Sequence, residues 1–395
     1  MSDAALSGCG HATDLLSRAR ALVPRLAERV PAVTAARKVA DETIADFHRS
    51  GILRVLQPRR YGGHQASFGL FLDILDILIE GCASSAWVYA ILGELQWVIA
   101  ALPARAQAEI WGTDPLAVAA GSIIPRASAR RCDGGWRLTA RYPFGSGCLH
   151  AQWVFIAARC EEAAGPEQVR YLVVPIGDVE IVDDWHVLGM RGTGSRTLAL
   201  HDVFVPEHRT IPLPDILAGT PPGRQVHPDY PLLRAPRYFL VPFVLPAVAF
   251  GLARIALPKV AASLAARGGP RSDVLHFRLA EAAARIETAN LIFTTRRAES
   301  LARLDQGEPV GEADAARNRR DVAFAFRSLR EGVEQLASLN GARTVYDDDK
   351  LQPVLRDIMA IANHIVLNEE MAMVPYGRLM LDRAGQSPSA AAATP

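Results

Sequence analysis

Residues 134–153 read GGWRLTARYPFGSGCLHAQW and contain two strand-like runs separated by a short Gly-rich break. Polar and apolar residues alternate after the opening Gly-Gly, which predicts a β-strand that begins at a turn. The alternation ends at Gly145-Ser146-Gly147, and a second apolar run begins at Trp153. Two glycines around one small hydroxyl residue predict a kink, with bare backbone and a Ser side chain where a flat group can approach closely.

Strand-like patterns continue on both sides of this stretch. Six short segments between residues 115 and 212 have a period of two and are rich in β-branched and aromatic residues. Gly, Pro or Asp turns separate these segments. We therefore predict a central β domain over residues 114–212, folded as a small barrel or sandwich.

Helical patterns flank the predicted β domain. Apolar residues at three- and four-residue spacing predict an N-terminal helical domain over residues 14–113, and four long helical patterns predict a four-helix bundle over residues 230–383. A Pro- and Gly-rich loop or linker over residues 213–229 precedes the bundle, and residues 1–13 and 384–395 are predicted to be disordered. The fold class is therefore multi-domain α+β.

The composition narrows the possible partners. The formal net charge is +1 with charges spread along all 395 residues, which gives no electrostatic footprint for nucleic acid or an anionic membrane. Five cysteines without a Cys-x-x-Cys pair predict reduced thiols in the cytoplasm and no zinc site. Residues 240–256 come closest to a membrane span but contain two prolines and an arginine, so we predict a core helix.

Four stretches together carry a family resemblance. The motifs are Gly135-Trp136 with Gly145-Ser146-Gly147, His150-Ala151 and Trp153; residues 185–195, which include Thr193-Gly194-Ser195; Arg356-Asp357 with Asn363-His364; and the helix exit at residues 51–63. With the order of helices, strands and bundle, they resemble the acyl-CoA dehydrogenase architecture. The chain is similar to the flavin-dependent monooxygenases on this fold, the oxygenase components of two-component phenol hydroxylases such as those acting on 4-hydroxyphenylacetate or secosteroid phenols.

The resemblance implies two catalytic residues. His364 would be the general base that removes the phenol proton, so that the phenolate attacks a flavin C4a-hydroperoxide. Ser146 would lie at the flavin N5 edge, across from His364, where its hydroxyl slows the loss of hydrogen peroxide. From the residues alone, Asp357, His364 and Asn368 fall on one face of a predicted helix. A lone helical His is also commonly satisfied by a backbone carbonyl.

Further site residues follow from the same resemblance. Gln96 and Asn368 would contact the substrate. Several relatives have a second active-site His where this chain has Gln96, and a Gln can hydrogen-bond to a substrate but cannot serve as its base. Trp87 lies on a predicted apolar helix, where a Trp is also common in the hydrophobic core. The residues expected to bind the flavin, including one cation for its phosphate, are Trp87, Ser122, Ser146, Gly147 and Arg271.

The implied enzyme is a cytoplasmic homotetramer that takes reduced FMN or FADH2 from a separate NAD(P)H:flavin reductase and uses O2 as co-substrate. Its substrate would be a small aromatic, phenolic molecule, with a polycyclic natural-product intermediate as one option. N- or S-oxygenation of an amine, amino sugar or thiophene is an alternative on the same fold. A true acyl-CoA dehydrogenase needs a carboxylate base, and residues 364–367 and 240–242 contain no Glu.

Overall fold

The computed structural model describes residues 3–161, 168–267, 272–349 and 351–385. It divides into two compact units, Met1–Ala235 and Pro236–Pro395. The elements run from helices to strands and back to helices, in the order that the sequence predicts.

The first unit begins with helices. Helix α1 begins at Asp3, so the N-terminal segment predicted to be disordered is helical from that residue on. Once a helix is nucleated, each added residue gains a hydrogen bond, which favours this extension. Helix α4 is buried along nearly its whole length, as its all-round hydrophobicity predicts. The helices are α1 (Asp3–Ala36), α2 (Asp41–Ser50), α3 (Phe68–Ile79), α4 (Ala83–Ala101) and α5 (Ala104–Trp111).

Seven strands of the first unit form one sheet, in the order β5-β6-β2-β1-β3-β4-β7. Strands β1 and β3 are parallel, and the other pairs are antiparallel. The register of β2 on β6 shifts between Tyr142 and Gly145, where the sequence predicts a kink. The strands are β1 (Ala119–Cys132), β2 (Gly135–Gly145), β3 (Trp153–Glu161), β4 (Gln168–Pro175), β5 (Glu180–Val182), β6 (Arg196–Pro206) and β7 (Thr210–Pro212).

The segment predicted as a loop at residues 213–229 contains two short helices, α6 (Leu213–Leu217) and α7 (Gly223–Val226). Proline in the first turn of α6 explains the difference, because a proline there loses no helical hydrogen bond. The residues that indicated a loop therefore start short helices.

The second unit is helical. Phe250 stacks on Phe293 with ring centroids 4.1 Å apart, and Phe243 meets Phe293 edge-on at 5.8 Å. The helical stretch Arg237–Ala266 is long and apolar enough to cross a membrane, but 83% of its most apolar window is buried, which fits the predicted core helix. The helices are α8 (Arg237–Leu240), α9 (Leu245–Ala266), α10 (Asp273–Asp305), α11 (Glu312–Asn340), α12 (Gln352–Ile361) and α13 (Glu369–Gly385).

The last predicted bundle helix is split, which corrects the predicted common face of Asp357, His364 and Asn368. Helix α12 ends at Ile361, and His364 has an extended backbone with φ −73° and ψ 136°. The His364 Nδ1 accepts from the Val366 amide, and the Asn368 Oδ1 accepts from the Met371 amide. Both side chains thus start new helical turns. Helix α13 continues to Gly385, and the rest of the predicted disordered tail lies outside the described residues.

Candidate active site

Ser146 directly follows strand β2 and is buried, with 6% of its surface exposed. Its amide donates to the Phe144 carbonyl at 2.9 Å, which closes a tight turn. Phe144 has a φ of 69°, a left-handed conformation that costs a non-glycine residue about 1 kcal/mol. The Phe144 ring is 57% exposed and meets Trp185 edge-on at 6.2 Å. The turn at Ser146 therefore combines a strained backbone with an exposed aromatic ring.

Three buried hydroxyl side chains, those of Ser146, Ser195 and Thr193, form a chain that we term the hydroxyl cluster. The Ser146 Oγ lies 2.6 Å from the Ser195 Oγ, which lies 2.6 Å from the Thr193 Oγ1. The Trp87 Nε1 donates to the Ser146 Oγ at 3.1 Å. Helix α4, the end of β2 and the segment before β6 therefore meet at Ser146.

Strand pairing explains why Ser146 and Ser195 meet. Gly145 of β2 pairs with Arg196 of β6 in an antiparallel register, so the residue after Gly145 faces the residue before Arg196. The backbone supports the same contact, because the Gly147 amide donates to the Thr193 carbonyl at 3.2 Å. The sheet thus positions two hydroxyl groups that are 49 residues apart in the chain.

Thr193-Gly194-Ser195 is part of the family motif, but no site role was predicted for Thr193 or Ser195. A signal was present, because Gly192-Thr193-Gly194 repeats the pattern of a hydroxyl residue between two glycines seen at Ser146. Gly194 has a φ of 57°, in the left-handed region. The repeated pattern marks the two turns that the sheet brings together.

Protein atoms lie close to the two glycines that flank Ser146. A Cβ on Gly145 would lie 2.9 Å from Leu198 of β6, and a Cβ on Gly147 would lie 3.3 Å from Leu92 and Val88 of α4. The space that a side chain would take is thus already filled by protein atoms rather than open to a flat ligand. The role of Gly147 in flavin binding stays a prediction.

Two other predicted flavin residues also lie in the first unit. Trp87 is 6% exposed, and its indole N–H is directed at Ser146, so it does more than fill the core. The Ser122 hydroxyl donates to the Pro143 carbonyl at 3.0 Å. Toward a ligand, Ser122 can therefore only accept a hydrogen bond.

Gln96 lies apart from the hydroxyl cluster. It follows Trp87 by nine residues on α4, which places the two side chains on opposite sides of the helix. Its Nε2 donates to the Ala117 carbonyl at 3.4 Å, and its buried Oε1 has no partner among the described residues. An unpaired buried acceptor costs about 1–3 kcal/mol, so a donor group would be stabilised at this position.

His364, Asn368 and Arg271 belong to the second half of the chain. Burial lowers the pKa of His364 to about 4, so the imidazole is neutral at pH 7. With Nδ1 accepting from Val366, the neutral ring carries its proton on Nε2. Asn368 is exposed, and its Oδ1 caps α13. Arg271 lies outside the described residues.

A family model for the acyl-CoA dehydrogenase C-terminal domain matches residues 243–369. The chain is also 33% identical over 362 residues to the FADH2-dependent resorcinol hydroxylase, oxygenase component, of Rhizobium sp. (strain MTP-10005), and 88% of each chain is covered. This chain belongs to the flavin-dependent monooxygenases. It is an oxidoreductase of the two-component class, an oxygenase component that uses reduced flavin and O2.

Solved structures also support the assignment of this chain to the flavin-dependent monooxygenases. The HsaA monooxygenase from M. tuberculosis has a TM-score of 0.87 and 29% identity, covering 94% of this chain and 98% of that chain. XiaF from Streptomyces sp., solved in complex with FADH2 and glycerol, has a TM-score of 0.84 and 25% identity over the full length of both chains. The predicted acyl-CoA dehydrogenase-like fold is confirmed, and the relatives favour an oxygenase over a dehydrogenase.

The hydroxyl cluster of this monooxygenase fits one edge of a flavin ring. Ser146 accepts from Trp87 and shares a second hydrogen bond with Ser195, which leaves its hydroxyl able to make one more. Phe144 offers an exposed apolar ring two residues before it. A flavin presents a ring nitrogen at N5 beside a flat apolar face, and protein hydrogen bonds at ring nitrogens tune its electronic properties.

Proposed function

We propose that this monooxygenase hydroxylates a small phenolic substrate with reduced FMN or FADH2 delivered by a separate NAD(P)H:flavin reductase. The names of its relatives support a phenol, since they include a resorcinol hydroxylase and the p-hydroxyphenylacetate 3-hydroxylase oxygenase component of Acinetobacter baumannii. The observation that carries the proposal is the buried Ser146 hydroxyl, held by Trp87 and Ser195 at the end of β2.

The reduced flavin, together with O2, supplies the oxygen atom that is transferred to the substrate. Ser146 would hydrogen-bond at N5, with Trp87 and Ser122 beside the ring, Gly147 contributing backbone and Arg271 binding the phosphate. The burial of the hydroxyl cluster supports this role, because excluding water protects the reactive oxygen from unproductive loss as hydrogen peroxide.

His364 would act as the base that removes the phenol proton, which makes the aromatic ring electron-rich. Its lowered pKa supports the role in one respect, because a neutral imidazole is required at pH 7. Accepting the proton at Nε2 requires the tautomer with hydrogen on Nδ1, so the hydrogen bond from Val366 must open during the step. Proton removal thus involves a small rearrangement at the start of the Ile365–Leu367 turn.

Gln96 and Asn368 would contact the substrate. The free Oε1 of Gln96 can accept from a substrate hydroxyl, and the Nδ2 of Asn368 can donate to a substrate oxygen while its Oδ1 caps α13. Two such hydrogen-bonding side chains would suit a phenol with additional oxygen substituents, including a polycyclic one.

The enzyme would work as a homotetramer in the cytoplasm. Val274, Phe277 and Leu291 on α10 are 59%, 69% and 65% exposed within the single chain, and such apolar side chains favour self-association. The four cysteines whose side chains the structure describes are free thiols, which supports a reducing compartment.

The test combines the purified protein, a panel of phenols and reduced FMN or FADH2 in oxygenated buffer. We expect a hydroxylated product, with little hydrogen peroxide released from the wild type. Ser146→Ala should release several-fold more peroxide per O2 consumed. Turnover with NADH in the absence of both reductase and added flavin would contradict the two-component proposal, and products oxidised at nitrogen or sulfur from amine or thiophene substrates would redirect it.

A further inference from the structure

One arrangement of the protons in the hydroxyl cluster gives every hydroxyl hydrogen an acceptor among the described residues. The Thr193 Oγ1 lies 2.9 Å from the Met190 carbonyl oxygen, which can only accept. The Thr193 amide at 3.1 Å and the Trp185 Nε1 at 3.3 Å also approach this carbonyl, and the Thr193 hydroxyl is the nearest of the three. In this arrangement the single hydroxyl proton of Thr193 points to Met190, and the Thr193 oxygen is left to accept.

The proton positions of Ser195 and Ser146 follow from that of Thr193. Ser195 then donates its proton to Thr193 across the 2.6 Å contact between their oxygens, since the Thr193 proton is already used. Ser146 in turn donates to Ser195 across the second 2.6 Å contact, whereas the reverse order would leave the Ser146 proton without an acceptor among the described residues. The indole nitrogen of Trp87 can donate a hydrogen bond but cannot accept one, so Trp87 donates to Ser146. This contact does not change the direction of the hydrogen bond from Ser146 to Ser195.

Ser146 consequently has no proton for a ligand and can only accept from one. Reduced flavin carries a hydrogen on N5, whereas oxidised flavin has a lone pair there. We propose that Thr193 and Ser195 are positioning residues, which fix Ser146 as a hydrogen-bond acceptor so that the site selects reduced over oxidised flavin. This inference rests on the proposed place of Ser146 at the flavin N5.

The direction of the hydrogen bond matters for an enzyme that receives flavin by diffusion. Both redox forms of the flavin are present around a reductase, and an acceptor at N5 makes a hydrogen bond with the reduced form but meets a lone pair of the oxidised form. A lost hydrogen bond of this kind changes affinity by roughly tenfold. The same arrangement also favours release of the oxidised flavin after turnover.

Thr193→Val tests the arrangement with little change of shape. Without the Thr193 oxygen, Ser195 donates to Ser146, and the Ser146 proton becomes available to a ligand. The ratio of the Kd for oxidised flavin to the Kd for reduced flavin should fall by about tenfold. The midpoint potential of the bound flavin should fall with it, by about 30 mV for each tenfold change in the ratio. Ser195→Ala, which removes the acceptor for the Ser146 proton, should lower the ratio in the same direction.

Thr193→Ser is the matched control, because it keeps the hydroxyl and should keep the wild-type ratio. Both Kd values are measured by titrating FMN and FAD into the protein, aerobically for the oxidised forms and anaerobically for the reduced forms. If Thr193→Val and Ser195→Ala both keep the wild-type ratio while Ser146→Ala changes flavin affinity, the inference is overturned and the proposed function stands. If Ser146→Ala leaves both affinities unchanged, Ser146 is not at the flavin, and the inference falls with that placement.

Discussion

Two side chains, Ser146 and His364, carry the chemistry proposed for this monooxygenase, and their surroundings prepare them in different ways. Ser146 is oriented by a hydrogen bond from Trp87 and by a second hydrogen bond with Ser195. His364 is kept neutral by burial, which lowers its pKa to about 4. A base with a low pKa is also a weak proton acceptor, so the proposed proton removal depends on a closely held phenol.

His364 provides the prediction at the residue scale. His364→Ala and His364→Asn should each lower the hydroxylation rate at pH 7 by about a hundredfold or more, because general-base catalysis contributes about 10²–10⁴-fold. The rate of both variants should recover as the pH approaches the phenol pKa of about 10, where the substrate ionises without help. Steady-state product formation between pH 6 and 10 measures this recovery.

The wild type is the reference for that experiment. A histidine whose pKa lies near 4 stays neutral throughout this range, so its protonation should cause no loss of wild-type activity above about pH 6. Asn keeps a hydrogen-bond donor at this position, so a rate for His364→Asn that stays near the wild-type value at pH 7 would assign donation rather than proton removal to His364.

At the scale of elements, the turn between β2 and the Cys148–His150 helix depends on how closely it packs against α4. Gly147 has a φ of 74°, and a Cβ there would crowd Leu92 and Val88 at 3.3 Å. Ser146 lies immediately before this contact. The hydroxyl cluster therefore depends on a glycine whose space is bounded by α4.

Gly147→Ala should destabilise the fold by more than the roughly 1–2 kcal/mol expected for a left-handed alanine, because the added Cβ also pushes against the side chains of Leu92 and Val88. It should also raise hydrogen peroxide release, since Ser146 moves with the turn. Gly134→Ala is the control, because Gly134 has a φ of 73° and no atom within 4 Å of the added Cβ. Chemical denaturation of both variants gives the comparison, and equal losses of unfolding free energy would contradict the packing role of Gly147.

At the scale of the whole molecule, the exposed apolar side chains of α10 support the proposed assembly. Phe277→Glu combined with Leu291→Glu should shift the enzyme from tetramers to smaller species, because two charges would be buried in the contact. Light scattering after size-exclusion chromatography measures the mass. Arg278→Glu, an exposed neighbour about 100° around the helix, is the control. A monomeric wild type would contradict the proposed tetramer.

Several features of the whole molecule could be predicted from the sequence. The change of hydrophobic period located the β region within a few residues, and the strands run from Ala119 to Pro212. The combination of short motifs identified the family that the relatives confirm. These properties depend on the spacing and identity of residues, which are present in the sequence and do not require the folded structure.

Other features depended on side chains that compete with the local pattern. The helical period runs on past Ile361, but His364 and Asn368 bond to nearby amides and start new turns, so one predicted helix became two. The prolines after Pro212 indicated a loop, and one of them lies in the first turn of α6 instead. In each case a local hydrogen bond or a favourable end position outweighed the pattern read from the sequence.

The sequence alone determined the order of the elements, the turn at Gly145-Ser146-Gly147 and the family of this monooxygenase. Only the tertiary structure decided what Ser146 bonds to, because Trp87 and Ser195 lie 59 and 49 residues away in the chain. Their meeting depends on the register of β2 on β6 and on the packing of α4, which are set by contacts between distant segments. The direction proposed for the Ser146 hydrogen bond depends on that geometry, since each hydroxyl has a single proton to donate.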